Sequence, residues 1–190
     1  MMESLEAQKV ISRHRGDAIV VATMTANAEW SQVSTNPGLD LMHTGSMGKA
    51  SSIGLGLALA QPNKKVIVLD GDGSLLMNLG SLVTIANMAP PNLIHFVFEN
   101  NVYRTTGGQP IPGAGKLGFM GLARYAGYTN VHEFEDLESL KNNIETVMNQ
   151  VGPTFVCIKV PPATERSPFP SVSTTKIISR FRAALQRSSH

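Results

Sequence analysis

Residues 65–74 read KVIVLDGDGS, and residues 93–101 read LIHFVFENN. Each is an apolar run of strand length that stops abruptly at oxygen-bearing residues. Val, Ile, Leu and Phe interrupted only by His95, without polar alternation, is the pattern of a strand buried on both faces of a parallel sheet. Between the two runs, residues 74–88 place Leu75, Leu79, Leu82, Val83 and Ala86 at helical spacing, and Pro90-Pro91 stop that helix. The stretch is therefore one strand–helix–strand unit, and it fixes the fold class.

The same alternation runs outward along the chain. Upstream, AIVVAT at 18–23 is a strand and KASSIGLGLALAQ at 49–61 a small-residue helix stopped by Pro62-Asn63. Downstream, 102–116 is a Gly- and Pro-dense loop, and helices near 117–126 and 136–150 flank a short strand at 130–134. TFVCIKV at 154–160 is expected to close the sheet. Beyond it, 161–170 forms a Pro-rich tether and 174–186 a final amphipathic helix. Alternation of this kind predicts right-handed crossovers and an α/β, doubly wound, mostly parallel sheet with helices on both faces. All of 1–190 reads as a single domain, with 161–190 its tether and terminal helix.

Composition narrows the function classes. In 190 residues, 42% are hydrophobic and 16% charged, which fits a packed domain and argues against disorder. The net charge is only +2 and the basic residues are scattered, so nucleic acid is not an expected partner. No apolar run reaches membrane-spanning length, and 1–15 is amphipathic with mixed charge and lacks a signal-peptide core. The single cysteine, Cys157, permits no internal disulfide and suggests a reducing, cytoplasmic setting.

In an open α/β sheet, ligands bind beyond the carboxyl ends of the strands. Two strands here end in Asp70-Gly71-Asp72-Gly73-Ser74 and Glu99-Asn100-Asn101. Being one unit apart, Asp72 and Asn100 should reach the same sheet edge, where a carboxylate and an amide oxygen suit Mg²⁺ holding a phosphate. Gly71 and Gly73 allow close backbone approach, and Ser74 opens a helix whose N–H groups attract anions. Either half alone could be an ordinary turn. Together they point to a metal-diphosphate site.

This arrangement resembles the thiamine diphosphate enzymes. Leu55-Gly56, Pro62, Ile67, Leu69 and Gly71-Asp72-Gly73-Ser74, closing with Asn100, follow that family's signature across roughly 18–160. The resemblance implies thiamine diphosphate and Mg²⁺ as cofactors, with Asp72, Asn100 and the backbone carbonyl of Val102 as metal ligands. It takes Asn100 rather than Asn101 because family members place a Tyr three residues after the ligand, here Tyr103; Asn101 is the fallback. Gly73 and Ser74 would contact the diphosphate through backbone N–H and hydroxyl, and Gly71 and Tyr103 would also bind the cofactor. A second stretch, His43-Thr44-Gly45-Ser46-Met47-Gly48, resembles the pyrimidine-side motif, in which Gly45, Ser46 and Met47 would bind the cofactor, Met47 propping it in a bent shape.

Family enzymes pair this domain with a second one that supplies a Glu activating the pyrimidine ring, and no Glu in this chain matches that role. The resemblance thus implies no catalytic residue here and a separate pyrimidine-domain α subunit, giving an α/β hetero-oligomer, or a homo-oligomer if the chain is alone. Gly45-Ser46-Met47-Gly48 with Ala50–Ile53, and Thr106-Gly107-Gly108-Gln109-Pro110, look most like sulfopyruvate and phosphonopyruvate decarboxylases. The implied reaction is nonoxidative decarboxylation of a 2-oxo acid. A dianionic substrate would want cations, for which His43, Arg104 and Lys116 are the candidates. Arg104 and Glu99 depart from the residues usual in relatives at those positions. The other readings are a carboligase, a 2-oxo acid oxidoreductase β chain, or a non-catalytic cofactor-binding subunit.

Overall fold

The structure is a computed structural model that describes residues 1–43, 47–163, 168 and 172–187. Its centre is a six-stranded, wholly parallel sheet. The strands are β1 (Ile19–Thr23), β2 (Asp40–His43), β3 (Val66–Gly71) and β4 (Leu93–Glu99). Past a two-stranded hairpin of β5 (Val102–Tyr103) and β6 (Gln109–Pro110) come β7 (Asn130–Phe134) and β8 (Thr154–Lys159). The order across the large sheet is β2-β1-β3-β4-β8-β7.

Alternation along the strands sorts side chains to two faces. Ile67 and Leu69 of β3 with Ile94 and Phe96 of β4 face helices α1 (Ser4–His14), α2 (Met24–Val33) and α7 (Leu137–Asn149), meeting Ile11, Trp30 and Ile144. Val66 and Val68 with Leu93 and Val97 face α3 (Ala50–Ala60), α5 (Ser81–Met88) and α6 (Phe119–Ala126), meeting Leu55, Ile85 and Phe119. The sheet is thus apolar on both faces, as its uninterrupted runs require. No helix among the described residues is long and apolar enough to cross a membrane.

Three differences from the sequence reading have physical causes. The helix expected over 74–88 is two: α4 (Asp72–Leu76) and α5, separated by a tightened turn in which Asn78 N–H bonds Leu75 O and Ser81 N–H bonds Asn78 O. Asn78 and Gly80, both weak helix formers, fall in that turn. The strand expected to close the sheet, β8, lies inside it, between β4 and β7. Its fully buried Thr154–Ile158 run suits an interior position, whereas β7 is half-buried along most of its length and takes the edge. Finally, α1, α2 and edge strand β2 add layers not assigned from sequence. Ala26, Trp30 and Val33 carry the helical spacing of α2.

Close helix–sheet packing explains one glycine of the signature region. A Cβ on Gly54 of α3 would lie 2.2 Å from Val68 Cγ2 of β3. At the sheet's far edge, α8 (Thr174–Arg187) packs beside β2, with Ile177 and Phe181 buried and Ala184 against Gly38. Behind α1, the buried Arg15 guanidinium bonds Asp40 at 2.6 Å and lies 5.6 Å from the Trp30 ring, clamping β2 to the helices.

Candidate functional site

The register of β3 against β4 pairs Gly71 with Phe98, so both strands run out together and their following loops share one edge. A cleft of about 580 Å³, counted with its open mouth, lies there. Its floor is Asp70–Ser74 and Asn100, one wall is Val102–Thr105, and the other is the start of α2, with Met47 and Ser4 reaching in.

Asp72 is the clasp of the floor. Its Oδ1 accepts from Gly73 N–H at 2.7 Å, and its Oδ2 accepts from Asn100 N–H at 2.9 Å and Asn101 N–H at 2.6 Å. The side chain is 2% exposed. Burial outweighs these three donors and holds its carboxyl at about 6 in the metal-free chain. Asn100 Oδ1 accepts from Val102 N–H at 2.9 Å, which turns the chain into β5. Asn101 does other work: its backbone is left-handed (φ +63°), and its Oδ1 accepts from Gly115 N–H at 2.8 Å, tying down the loop after β6. Asn100 lines the cleft and Asn101 does not.

Gly73 is where backbone must come close, since a Cβ there would sit 2.5 Å from Tyr103 Cε1. The Tyr103 ring therefore lies across the start of α4. Ser74 Oγ accepts from Gly48 N–H at 2.9 Å and so joins the segment after β2 to the floor. Met47 belongs to that segment and faces the same cleft.

Of the sequence-derived candidates, the structure gathers Met47, Gly71, Asp72, Gly73, Ser74, Asn100, Val102, Tyr103 and Arg104 around one cleft. Gly45, Ser46 and the side chain of His43 lie outside the described residues. Lys116 is exposed on a turn closed by its own N–H to Gly113 O, and it does not line the cleft. Arg104 is the only basic side chain among the described cleft-lining residues, against the acids Glu29, Asp70 and Asp72. The buried Thr23 Oγ1 and Asp70 Oδ2, both on lining residues, hydrogen-bond to no described residue, although His95 Nε2 is 3.5 Å from Asp70 Oδ2. The surplus of carboxylates with hard amide and carbonyl oxygens beside them fits a divalent cation.

Glu99, next to Asn100 in sequence, points away into the sheet. Its Oε2 accepts from Lys159 Nζ at 2.6 Å and from the Cys157 thiol at 3.1 Å. Desolvation works to lower the Lys159 ammonium, but the Glu99 hydrogen bond and charge prevail and hold it above its ordinary value. Burial, then Glu99, pushes the Cys157 thiol far above the usual thiol range. This network, buried at Glu99 and Cys157 and half-buried at Lys159, braces the strand ends from behind.

Sequence reasoning missed the β1 side of the cleft, where Thr23, Met24, Thr25 and Glu29 lie on or before α2. Met24 has φ +50°, an uncommon backbone for a residue with a side chain and one that concentrates at functional sites. The helical spacing of Ala26, Trp30 and Val33 was the available signal.

Comparison with known proteins shows which family the chain resembles over most of its length. The family model described as the C-terminal TPP binding domain of thiamine pyrophosphate enzymes matches residues 21–158. The chain is 38% identical to the sulfopyruvate decarboxylase subunit beta of Methanothermobacter thermautotrophicus, over 95% of this chain and 94% of that one. It is 34% identical to the phosphonopyruvate decarboxylase of Streptomyces viridochromogenes over 93% of this chain, but spans only 44% of that enzyme's length. Among solved structures, the 2-oxoglutarate:ferredoxin oxidoreductase of Magnetococcus marinus superposes with a TM-score of 0.71 at 16% identity, covering 93% of this chain and 65% of that one, which speaks for the fold alone.

Proposed function

The chain belongs to the thiamine pyrophosphate enzymes through the family's C-terminal TPP binding domain, and from that membership we propose that it is the diphosphate-binding subunit of a thiamine diphosphate-dependent 2-oxo acid decarboxylase. The substrates we assign are sulfopyruvate or phosphonopyruvate. The observation that carries this reading is the match in extent: the chain spans 94% of a sulfopyruvate decarboxylase β subunit but 44% of a phosphonopyruvate decarboxylase. A separate α subunit then supplies the pyrimidine-binding domain, in a cytoplasmic hetero-oligomer.

In this reading Asp72 and Asn100, through side-chain oxygens, and Val102, through its carbonyl, hold Mg²⁺. Gly71, Gly73 and Ser74 face the diphosphate, and the Tyr103 ring excludes water above Gly73. Met47 supports the bent cofactor, with Gly45 and Ser46 beside it. When bound, the cofactor supplies the nucleophilic carbon and the electron sink for CO₂ loss. The protein's part is positioning and charge compensation. Arg104 provides a cation for the substrate's acidic groups.

The test is reconstitution. The purified chain should bind Mg²⁺ and thiamine diphosphate by calorimetry. Mixed with a pyrimidine-domain α chain, it should release CO₂ from sulfopyruvate or phosphonopyruvate. Absence of cofactor binding by both chain and mixture would overturn the assignment.

A further inference from the structure

One wall of the cleft carries a carboxyl group that the proposed cofactor contacts leave unused. Glu29 and Ser4 both line the cleft. Helix α1 approaches Glu29 with two donors, Ser4 Oγ–H at 2.5 Å and Gln8 Nε2–H at 2.6 Å, and both go to Oε2. Gln8 is fully buried and Glu29 is 5% exposed. The carboxyl is thus fixed from behind, with Oε1 taking neither bond. α2 itself starts from the strained Met24, which sets the wall's direction beyond β1.

We propose that Glu29 is a substrate-contacting residue whose protonated carboxyl donates, through Oε1, a hydrogen bond to an anionic oxygen of the 2-oxo acid in this cleft. The inference rests on the decarboxylase reading above. Its logic is electrostatic. An ionised Glu29, in a cleft already lined by Asp70 and Asp72, would repel an acid already carrying one or two negative charges. A neutral carboxyl in the same place supplies a donor on the β1 side, while Arg104 supplies the cation from the β5 side.

The surroundings support the neutral form. Ser4 and Gln8 from α1 and Glu3 at its N-cap act on Glu29, and the charged groups sharing its cleft are Asp70, Asp72 and Arg104. Burial raises the carboxyl above its ordinary range, the Ser4 hydrogen bond works against this, and the Glu3 charge adds to it. Since the folded value is raised, the donor form is present at low pH and is lost as pH rises through that value.

Two measurements test the proposal. In the full-length chain with ¹³C-labelled glutamate carboxyls, one resonance, missing from Glu29→Gln, should titrate above the remaining glutamates. In the reconstituted complex, the wild type should lose kcat/KM on the alkaline side as Glu29 ionises, mainly through KM. Glu29→Gln, which keeps a donor that cannot ionise, should retain low-pH activity and lack that alkaline limb. Glu29→Ala should lower kcat/KM roughly 10- to 150-fold, as for a lost hydrogen bond to a charged group.

A Glu29 resonance that titrates with the exposed glutamates overturns the proposal. So does a Glu29→Gln profile with the wild-type alkaline limb, which would leave Glu29 a brace between α1 and α2. Should Glu29→Ala not fold, the resonance and the Glu29→Gln profile decide. A wild-type complex that binds cofactor yet decarboxylates no 2-oxo acid removes the functional reading itself and the Glu29 role with it. That result is distinct from an active complex indifferent to Glu29→Gln, which removes only the latter.

Discussion

Single side chains in this chain divide sharply between cleft and brace. Asp72 holds three backbone N–H groups while facing the cleft, so its removal acts twice. Asp72→Ala leaves three donors unsatisfied at the strand ends and, in the proposed reading, deprives Mg²⁺ of its carboxylate. We expect Asp72→Ala to lose Mg²⁺-dependent thiamine diphosphate binding altogether, and unchanged affinity by calorimetry would remove Asp72 from the metal site. Cys157 belongs to the brace. Fully buried, with its thiol held protonated by desolvation and by Glu99, it should be inert toward a thiol-specific disulfide reagent in the native chain at neutral or mildly alkaline pH. After denaturation one thiol per chain should react, and rapid labelling of the native form would contradict the placement of Cys157.

Among the elements, α3 offers a paired comparison in which two magnitudes compete. Gly→Ala inside a helix gains about 1 kcal/mol from backbone entropy and propensity. Overpacking a filled interface costs about 1–3 kcal/mol. At Gly56 a Cβ would meet nothing within 4 Å, so propensity wins and Gly56→Ala should stabilise by up to about 1 kcal/mol. At Gly54 the Cβ would meet Val68 Cγ2 at 2.2 Å, so packing wins and Gly54→Ala should destabilise by about 1–3 kcal/mol. Urea midpoints read both signs, and equal shifts would deny the close α3–β3 approach. The same contrast explains why the helix expected over 74–88 breaks: periodic Leu residues say which face is buried, but not that a turn at 77–80 must re-aim the chain away from the cleft floor.

For the molecule as a whole, the cleft has carboxylates and a single described basic side chain but no Glu assigned to pyrimidine activation. The purified chain alone is therefore expected to show no decarboxylase activity even when loaded with cofactor, and substantial CO₂ release by the chain alone would overturn the two-subunit assignment. In the complex, Arg104→Ala should lower kcat/KM for sulfopyruvate or phosphonopyruvate roughly 10- to 150-fold and for pyruvate far less, since pyruvate lacks the second acidic group. Equal losses on all three substrates would mean that Arg104 holds the shared carboxylate or the fold.

What the sequence by itself determined is whatever short-range pattern encodes. The largely apolar runs at β3, β4 and β8 are satisfied by a sheet covered on both faces, so the fold class followed from them. Residues Asp72 and Asn100 close consecutive strands of one crossover unit, so their meeting at one edge followed from connectivity. Tertiary structure decided what depends on neighbours distant in the chain. Strand order is one such property: β8 lies inside the sheet because β7, half-buried and more polar, tolerates the edge. The roles of adjacent polar residues are another. Glu99, Asn100 and Asn101 are consecutive, yet one turns inward to Lys159, one faces the cleft and one ties down a loop at Gly115. So is the β1 wall: Glu29 reaches the cleft because α1 and α2 pack on one sheet face and Ser4 and Gln8 fix its carboxyl. Side-chain alternation and backbone handedness set those directions, and they act only once the strands are registered against one another.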